Sequence, residues 1–230
     1  MISSEAADVL LKNLNRATGF LVGPGLGSEE TTRNFIENLI RGKLNGKKGT
    51  SRIGFVNENK KSEDNRVDSF PPMVVDADGL RLIKKIDGWD KLLPPLTILT
   101  PHPGEMAELT GKSVEDIQAD RMNTARAFAK TWGHIVVLKG AFTVIAEPGG
   151  KVTVIPIATS SLARAGTGDV LAGIIVGLLA QGLEPYQAAV AGAWIHARAG
   201  LLAVDSVGNP ASVIASDVVD SICDVLSDLM

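Results

Sequence analysis

The chain has 230 residues, 45% hydrophobic and 21% charged, with a net charge of -3, an ordinary globular composition whose acidic balance excludes a basic nucleic-acid face. Cys223 is the single cysteine, so neither an intrachain disulfide nor a thiolate metal cluster is open to it; a chain this long buries roughly 70% of its unfolded surface and needs no such staple. No basic-then-apolar leader opens the sequence and no apolar run is long enough to span a bilayer, so no membrane partner is expected and a cytoplasmic, reducing compartment is.

Short β-branched runs alternate with longer helical patterns, which predicts an α/β fold with a mostly parallel central sheet flanked by helices. Phe20-Leu21-Val22 reads as a strand breaking into Gly23-Pro24-Gly25-Leu26-Gly27, with Ser28 placed to cap a helix reaching about Arg41. Residues 42–70 read as a long polar surface loop around one apolar island, Ile53 to Val56, with the pairs Lys47-Lys48 and Lys60-Lys61 as solvated surface. Met73-Val74-Val75 is a strand ending in Asp76-Ala77-Asp78-Gly79, followed by a helix from Leu80 to about Ile86. Leu96 to Leu99 is the next strand, and it stops at Thr100-Pro101-His102-Pro103-Gly104-Glu105. Helices are predicted over about 104–109 and 114–132. The strand Ile135 to Leu138 then ends in Lys139-Gly140. Glu147-Pro148-Gly149-Gly150 reads as a hairpin between Val144–Ala146 and Val152–Ile155. Three helices, over about 168–181, 185–204 and 211–228, complete a single domain spanning 1–230; Gly182 stops the first and Pro185 opens the second.

The densest chemistry lies in Ser160-Ser161-Leu162-Ala163-Arg164-Ala165-Gly166-Thr167-Gly168-Asp169, a small-residue turn running into an apolar helix. Gly166 and Gly168 let backbone N–H groups approach a ligand, and a helix N-terminus attracts phosphate oxygens. Asp169 at that positive end could take a proton from a substrate hydroxyl, so a phosphate cradle beside a base suggests phosphoryl transfer to an alcohol. Thr167 or Asp169 could instead merely cap the helix. Ligands of open α/β sheets bind outside the carboxyl ends of the strands, where the turns at Gly23–Gly27, Asp76–Gly79, Thr100–Glu105 and Lys139–Thr143 also fall. The P-loop, dinucleotide and nucleophile-elbow patterns are missing from the sequence. The histidines His102, His134 and His196 are too scattered to suggest a metal site.

Ala165-Gly166-Thr167-Gly168-Asp169 resembles the signature of the ribokinase-like superfamily. Together with Gly23–Gly27, Val75–Leu80, Thr100–Glu105 and Leu138–Thr143, in that order and spacing, it is similar to the motifs of the ADP/ATP-dependent NAD(P)H-hydrate dehydratases. The resemblance implies a carbon–oxygen lyase that repairs hydrated NADH or NADPH (NADHX or NADPHX). ADP or ATP phosphorylates the ring hydroxyl, phosphate leaves, and the double bond returns. It implies Asp169 as base and substrate ligand, Lys139, Gly140, Ala141, Phe142 and Thr143 with Gly166, Thr167 and Gly168 as the nucleotide site, and Gly25, Gly27 and His102 as the hydrate site. Mg²⁺ is the implied cofactor, with Glu105 organising its waters. The physical reading agrees: Lys139 could neutralise a phosphate, and His102 could donate to the nicotinamide amide.

This sequence departs from the family in places. It starts after the usual Gly/Ala-rich N-terminal segment, so it is N-terminally truncated relative to the family, with a sheet edge that needs covering. Ser160 to Arg164 replaces the usual Asn and Gly-Met residues. Thr167 resembles the prokaryotic form, which implies ADP over ATP as donor. A homo-oligomer is expected from the small residues of Ala188 to Ala193, a tetramer by the resemblance. The alternatives are a hydroxyethylthiazole-type kinase of the same fold, disfavoured by His102 where those enzymes usually carry Asn, and a non-catalytic nucleotide-binding subunit.

Overall fold

The computed structural model describes residues 2–42 and 70–229. Apart from Gly42 and Phe70 at its ends, the polar stretch read at 42–70 lies outside the described residues, together with its lysine pairs and its apolar island.

Six strands form one sheet in the order β1 (Phe20–Val22), β2 (Met73–Val75), β3 (Ile98–Leu99), β4 (Ile135–Leu138), β5 (Val144–Ala146) and β6 (Val152–Val154). The first four pair in parallel, and β5 and β6 add as an antiparallel meander whose turn holds the predicted hairpin residues. Because β1 to β4 are laid down in sequence and parallel crossovers are right-handed, their connecting helices fall on one face of the sheet. These are α2 (Glu30–Arg41), α3 (Asp78–Lys84), α4 (Trp89–Leu92), α5 (Pro103–Thr110), α6 (Val114–Ala119) and α7 (Arg121–Trp132), preceded in the chain by α1 (Ala6–Leu11). The opposite face receives α8 (Thr167–Ala180) and α9 (Pro185–Val207), on which α10 (Ala215–Asp220) and α11 (Ile222–Ser227) pack.

Strand side chains alternate between these layers, as the period of two requires. Met73, Val75 and Leu99 join Phe35, Ile36, Leu39, Leu80 and Ile83 on the first face. Val74, Ile98, Ile135 and Val137 meet Leu171, Ile175, Ala189 and Ala193 on the second. Both faces are covered, which is why the parallel strands read as continuous apolar runs instead of alternating ones. The register sets Val22 beside Val75, Val75 beside Leu99 and Leu99 beside Val136, so the strands finish nearly level and their polar turns emerge side by side.

Several boundaries differ from expectation. The helix read over 114–132 is two helices, broken at Asp120 (φ -145°, ψ 69°), whose carboxylate accepts the Asn123 N–H and caps the second. The helix read over 211–228 divides at Ser221. Glu29, whose side chain makes no capping bond to the helix backbone, occupies the N-cap expected of Ser28. The short helices α1 and α4 lie outside the elements that the sequence predicts. Ala188 to Ala193 packs inside the protomer: a Cβ on Gly192 would lie 2.6 Å from Ile175 Cγ1, so this stretch lends no support to self-association.

Candidate active site

A cleft of about 680 Å³ opens at the carboxyl ends of the strands, between the β4–β5 turn on one side and α8, α9 and the β6–α8 connection on the other. Its wall contains His102, Lys139, Gly140, Ala141, Thr143, Thr167 and Gly168, all singled out in the sequence. The charged side chains on that wall are Lys139 and Arg164, and no carboxylate lines it among the described residues. Ile157, Leu162, Leu171, Ala193 and Ala197 make the remainder apolar. An apolar slot with cationic groups and a helix N-terminus at one end suits a flat base bearing phosphates.

Lys139 is no surface lysine. Its Nζ lies 2.6 Å from Asp76 Oδ1 and 3.6 Å from Glu105 Oε2, and its side chain is 18% exposed. Asp76 and Glu105 are buried, at 1% and 4% exposure, and Asp76 Oδ2 has no partner among the described residues. The two carboxylates hold the ammonium from beneath. A Cβ on Gly168 would lie 3.5 Å from Lys139 Nζ and 3.9 Å from Asp76 Oδ2, ordinary contact distances that put the α8 N-terminus directly against this ion pair.

His102 is the N-cap of α5, and its Nδ1 accepts from the N–H groups of Gly104 (3.0 Å) and Glu105 (3.2 Å). Glu105 returns the bond, accepting the His102 N–H at 2.8 Å. With Nδ1 an acceptor, the ring carries its proton on Nε2, 3.5 Å from Glu105 Oε1, and the residue lines the cleft. The turn role and the cleft position therefore belong to one residue.

The glycine turn is tied down by its own hydroxyls. Thr167 Oγ1 lies 2.7 Å from the carbonyl of Leu162 and 2.8 Å from that of Arg164. Ser161 Oγ donates to the Gly200 carbonyl on α9 at 3.0 Å. Gly166 is the N-cap of α8 at φ 85°, and no side chain caps this helix, so the simple capping reading of Thr167 and Asp169 has no bond behind it. The Thr167 N–H donates to the Arg164 carbonyl at 3.3 Å, and the N–H groups of Gly168 and Asp169, with no acceptor among the described residues, stay available to an anion. Asp169 is exposed in that turn, without a side-chain partner among the described residues, and stands off the cleft wall.

Gly25, Gly27, Phe142 and Gly166 also lie off the wall. Gly27 N–H donates to Asp78 Oδ2 at 2.9 Å, which ties the β1–α2 turn to the β2–α3 turn. Phe142 is 53% exposed and holds φ 56°, a left-handed conformation uncommon for an aromatic residue. His196, on α9, lines the cleft and was not picked out by spacing. Burial pushes its pKa down to about 4, helped by the Lys139 charge and opposed by a bond to the Thr167 backbone, so it is neutral at physiological pH.

A sequence model of the NAD(P)H-hydrate dehydratases matches residues 54–223. The chain belongs to that family. Among the curated NAD(P)H-hydrate relatives, the bifunctional repair enzyme of Moorella thermoacetica is 37% identical over 231 residues, covering 99% of this chain. The chain spans 38% of that relative's length. Among solved NAD(P)H-hydrate dehydratases, the ADP/ATP-dependent enzyme of Bacillus subtilis, co-crystallized with ATP/Mg2+ and soaked with CoA, superposes with a TM-score of 0.72 at 26% identity, over 96% of this chain and 72% of that one. The same fold is seen in a ribokinase-like superfamily protein from Enterococcus faecalis, with a TM-score of 0.71 at 20% identity over 99% of this chain and 69% of that one.

Proposed function

We propose that this chain performs the dehydration step of nicotinamide-nucleotide repair, returning NADHX or NADPHX to NADH or NADPH with ADP or ATP as phosphoryl donor. The observation that carries the reading is the cleft itself: Lys139, Gly140, His102 and the Thr167–Gly168 start of α8 line it together, in a chain of the NAD(P)H-hydrate dehydratase family. The Bacillus subtilis relative is named for the same donors.

Transfer between oxygens needs alignment and charge stabilisation more than covalent chemistry. The nucleotide's phosphates lie against the Gly168 end of α8 and Lys139, with the base in the apolar part of the cleft. The ring hydroxyl of the hydrate attacks the terminal phosphorus, and Asp169, in the first turn of α8, takes its proton. The bond from that phosphorus to the bridging oxygen breaks, leaving AMP from ADP or ADP from ATP. The ring carbon–oxygen bond then breaks, inorganic phosphate leaves with the electron pair, the neighbouring carbon gives up its proton and the double bond re-forms. His102 and the Gly25–Gly27 turn hold the hydrate. Mg²⁺ fits this donor set: Glu105 and the unpartnered Asp76 Oδ2 are hard oxygen donors. No group of three His, Cys, Asp or Glu is arranged for an all-protein cage among the described residues, so an ion held here would keep waters and phosphate oxygens as its other ligands. Its chemistry when bound is to neutralise phosphate charge.

The test is direct. Hydrated NADH or NADPH with Mg²⁺ and either donor should regain the absorbance of the reduced nicotinamide and release inorganic phosphate. Failure with both donors, while hydroxyethylthiazole is converted to a stable phosphate ester, overturns the reading. ADP outperforming ATP would support the donor preference drawn from Thr167.

A further inference from the structure

Arg121 lies behind the turn that the proposed reading gives to the nucleotide. It is the first residue of α7, delivered there by the break at Asp120. Its Nη2 donates to the carbonyls of Leu138 (3.0 Å) and Lys139 (3.3 Å), and its Nη1 to Gln118 Oε1 (2.9 Å). Among the described residues no carboxylate pairs with it, and its Nε is buried without a partner. Burial pushes its pKa down, although a guanidinium stays charged. A half-buried cation without a counter-ion carries a desolvation cost, and its visible return is a grip on two carbonyls at the end of β4.

That grip fixes the neighbouring peptide. In a planar trans peptide the N–H points opposite to the carbonyl. The N–H of Lys139, opposite the Leu138 carbonyl, donates to Pro101 O at 2.9 Å. The N–H of Gly140, opposite the Lys139 carbonyl, has no acceptor among the described residues and points away from Arg121. Gly140 lines the cleft and Arg121 does not. Gly140 holds φ 145°, and a Cβ there would sit 2.6 Å from Arg121 Nη1, so only glycine admits the guanidinium this closely.

We propose that Arg121 is a positioning residue of the nucleotide turn: by holding the Leu138 and Lys139 carbonyls, it turns the Gly140 N–H into the cleft as a donor for a nucleotide phosphate. Arg121 never touches the ligand, and the inference rests on the nucleotide reading of the cleft.

The experiment is an ADP titration of the ¹⁵N-labelled chain, with Arg121→Met and Arg121→Lys beside it. In the wild type the Gly140 amide proton should move downfield and saturate with the binding curve. Arg121→Met should weaken ADP binding by roughly 10- to 100-fold, the range for losing a hydrogen bond to a charged group, and abolish that shift. Its nucleotide KM should rise while kcat stays near wild type, a split that a general loss of folded enzyme does not produce. Arg121→Lys should recover part of the affinity. Should Arg121→Met not fold, the wild-type amide shift and Arg121→Lys decide. ADP binding with an unmoved Gly140 amide, or wild-type affinity in the folded Met variant, overturns this inference and leaves the functional reading standing. A wild-type chain that binds no adenine nucleotide overturns the functional reading, and this inference with it.

Discussion

Asp169 bears the proposed base role without any structural bond to confuse its test. It is exposed in the first turn of α8, and no side chain caps that helix. Asp169→Asn keeps shape and size and removes the basic carboxylate. We expect it to fold with nearly unchanged thermal stability, to bind ADP, and to lose about 10²- to 10⁴-fold in turnover, the usual contribution of a general base. Wild-type turnover in this variant would remove the base from the mechanism. The places of Asp169, in the first turn of α8, and of the Lys139–Thr143 turn, at the end of β4, were legible in the sequence because each is local to a helix or strand end. His196 and Arg121 were not. Each makes its contacts across the fold, His196 from α9 to the Thr167 backbone and Arg121 from α7 to the end of β4, and no spacing along the chain records a contact of that kind.

Helix α8 shows how far the element scale could be read. Its extent matches the sequence expectation within a residue, because the apolar run between Gly166 and Gly182 leaves little choice of ends. The break at Asp120 leaves no mark in the sequence because α6 and α7 share a continuous helical pattern, and the aspartate that divides them is an ordinary surface residue until its carboxylate turns to cap. The glycines of the α8–α9 pair make a prediction about packing. A Cβ on Gly173 meets nothing within 4 Å, whereas one on Gly192 lies 2.6 Å from Ile175 Cγ1 and 3.3 Å from Ile175 Cα. Gly173→Ala should therefore stabilise the protein by about 0.5–1 kcal/mol, through helix propensity alone. Gly192→Val should destabilise it by roughly 1–3 kcal/mol through overpacking. Chemical denaturation of the two variants checks the pair; equal effects would mean that the helix interface is looser than its geometry implies.

At the scale of the whole molecule, one sheet places the site and the layers around it govern its response to pH. The level strand ends bring turns from distant parts of the chain to one rim, and the helices on each face remove His134 and His196 from water. Both imidazoles are driven toward the neutral form by that burial. His196 faces the Thr167 backbone and the Lys139 charge, and no carboxylate lines its side of the cleft among the described residues. The unfolded chain takes up the His196 proton near pH 6.5 and the native chain only near 4. The stabilisation is therefore complete above the unfolded value and is lost as pH falls toward the native one. The loss from His196 alone is on the order of 3 kcal/mol, and His134 acts in the same direction. Denaturation curves from neutral pH down to about 4.5 should show stability falling throughout that window. His196→Asn removes the titrating group and keeps a polar side chain, so its stability should fall less steeply over the same range, whatever its absolute value. Identical slopes in the two proteins would mean that the His196 imidazole is accessible enough to protonate in place, and that the layer above the cleft opens to water in the native state.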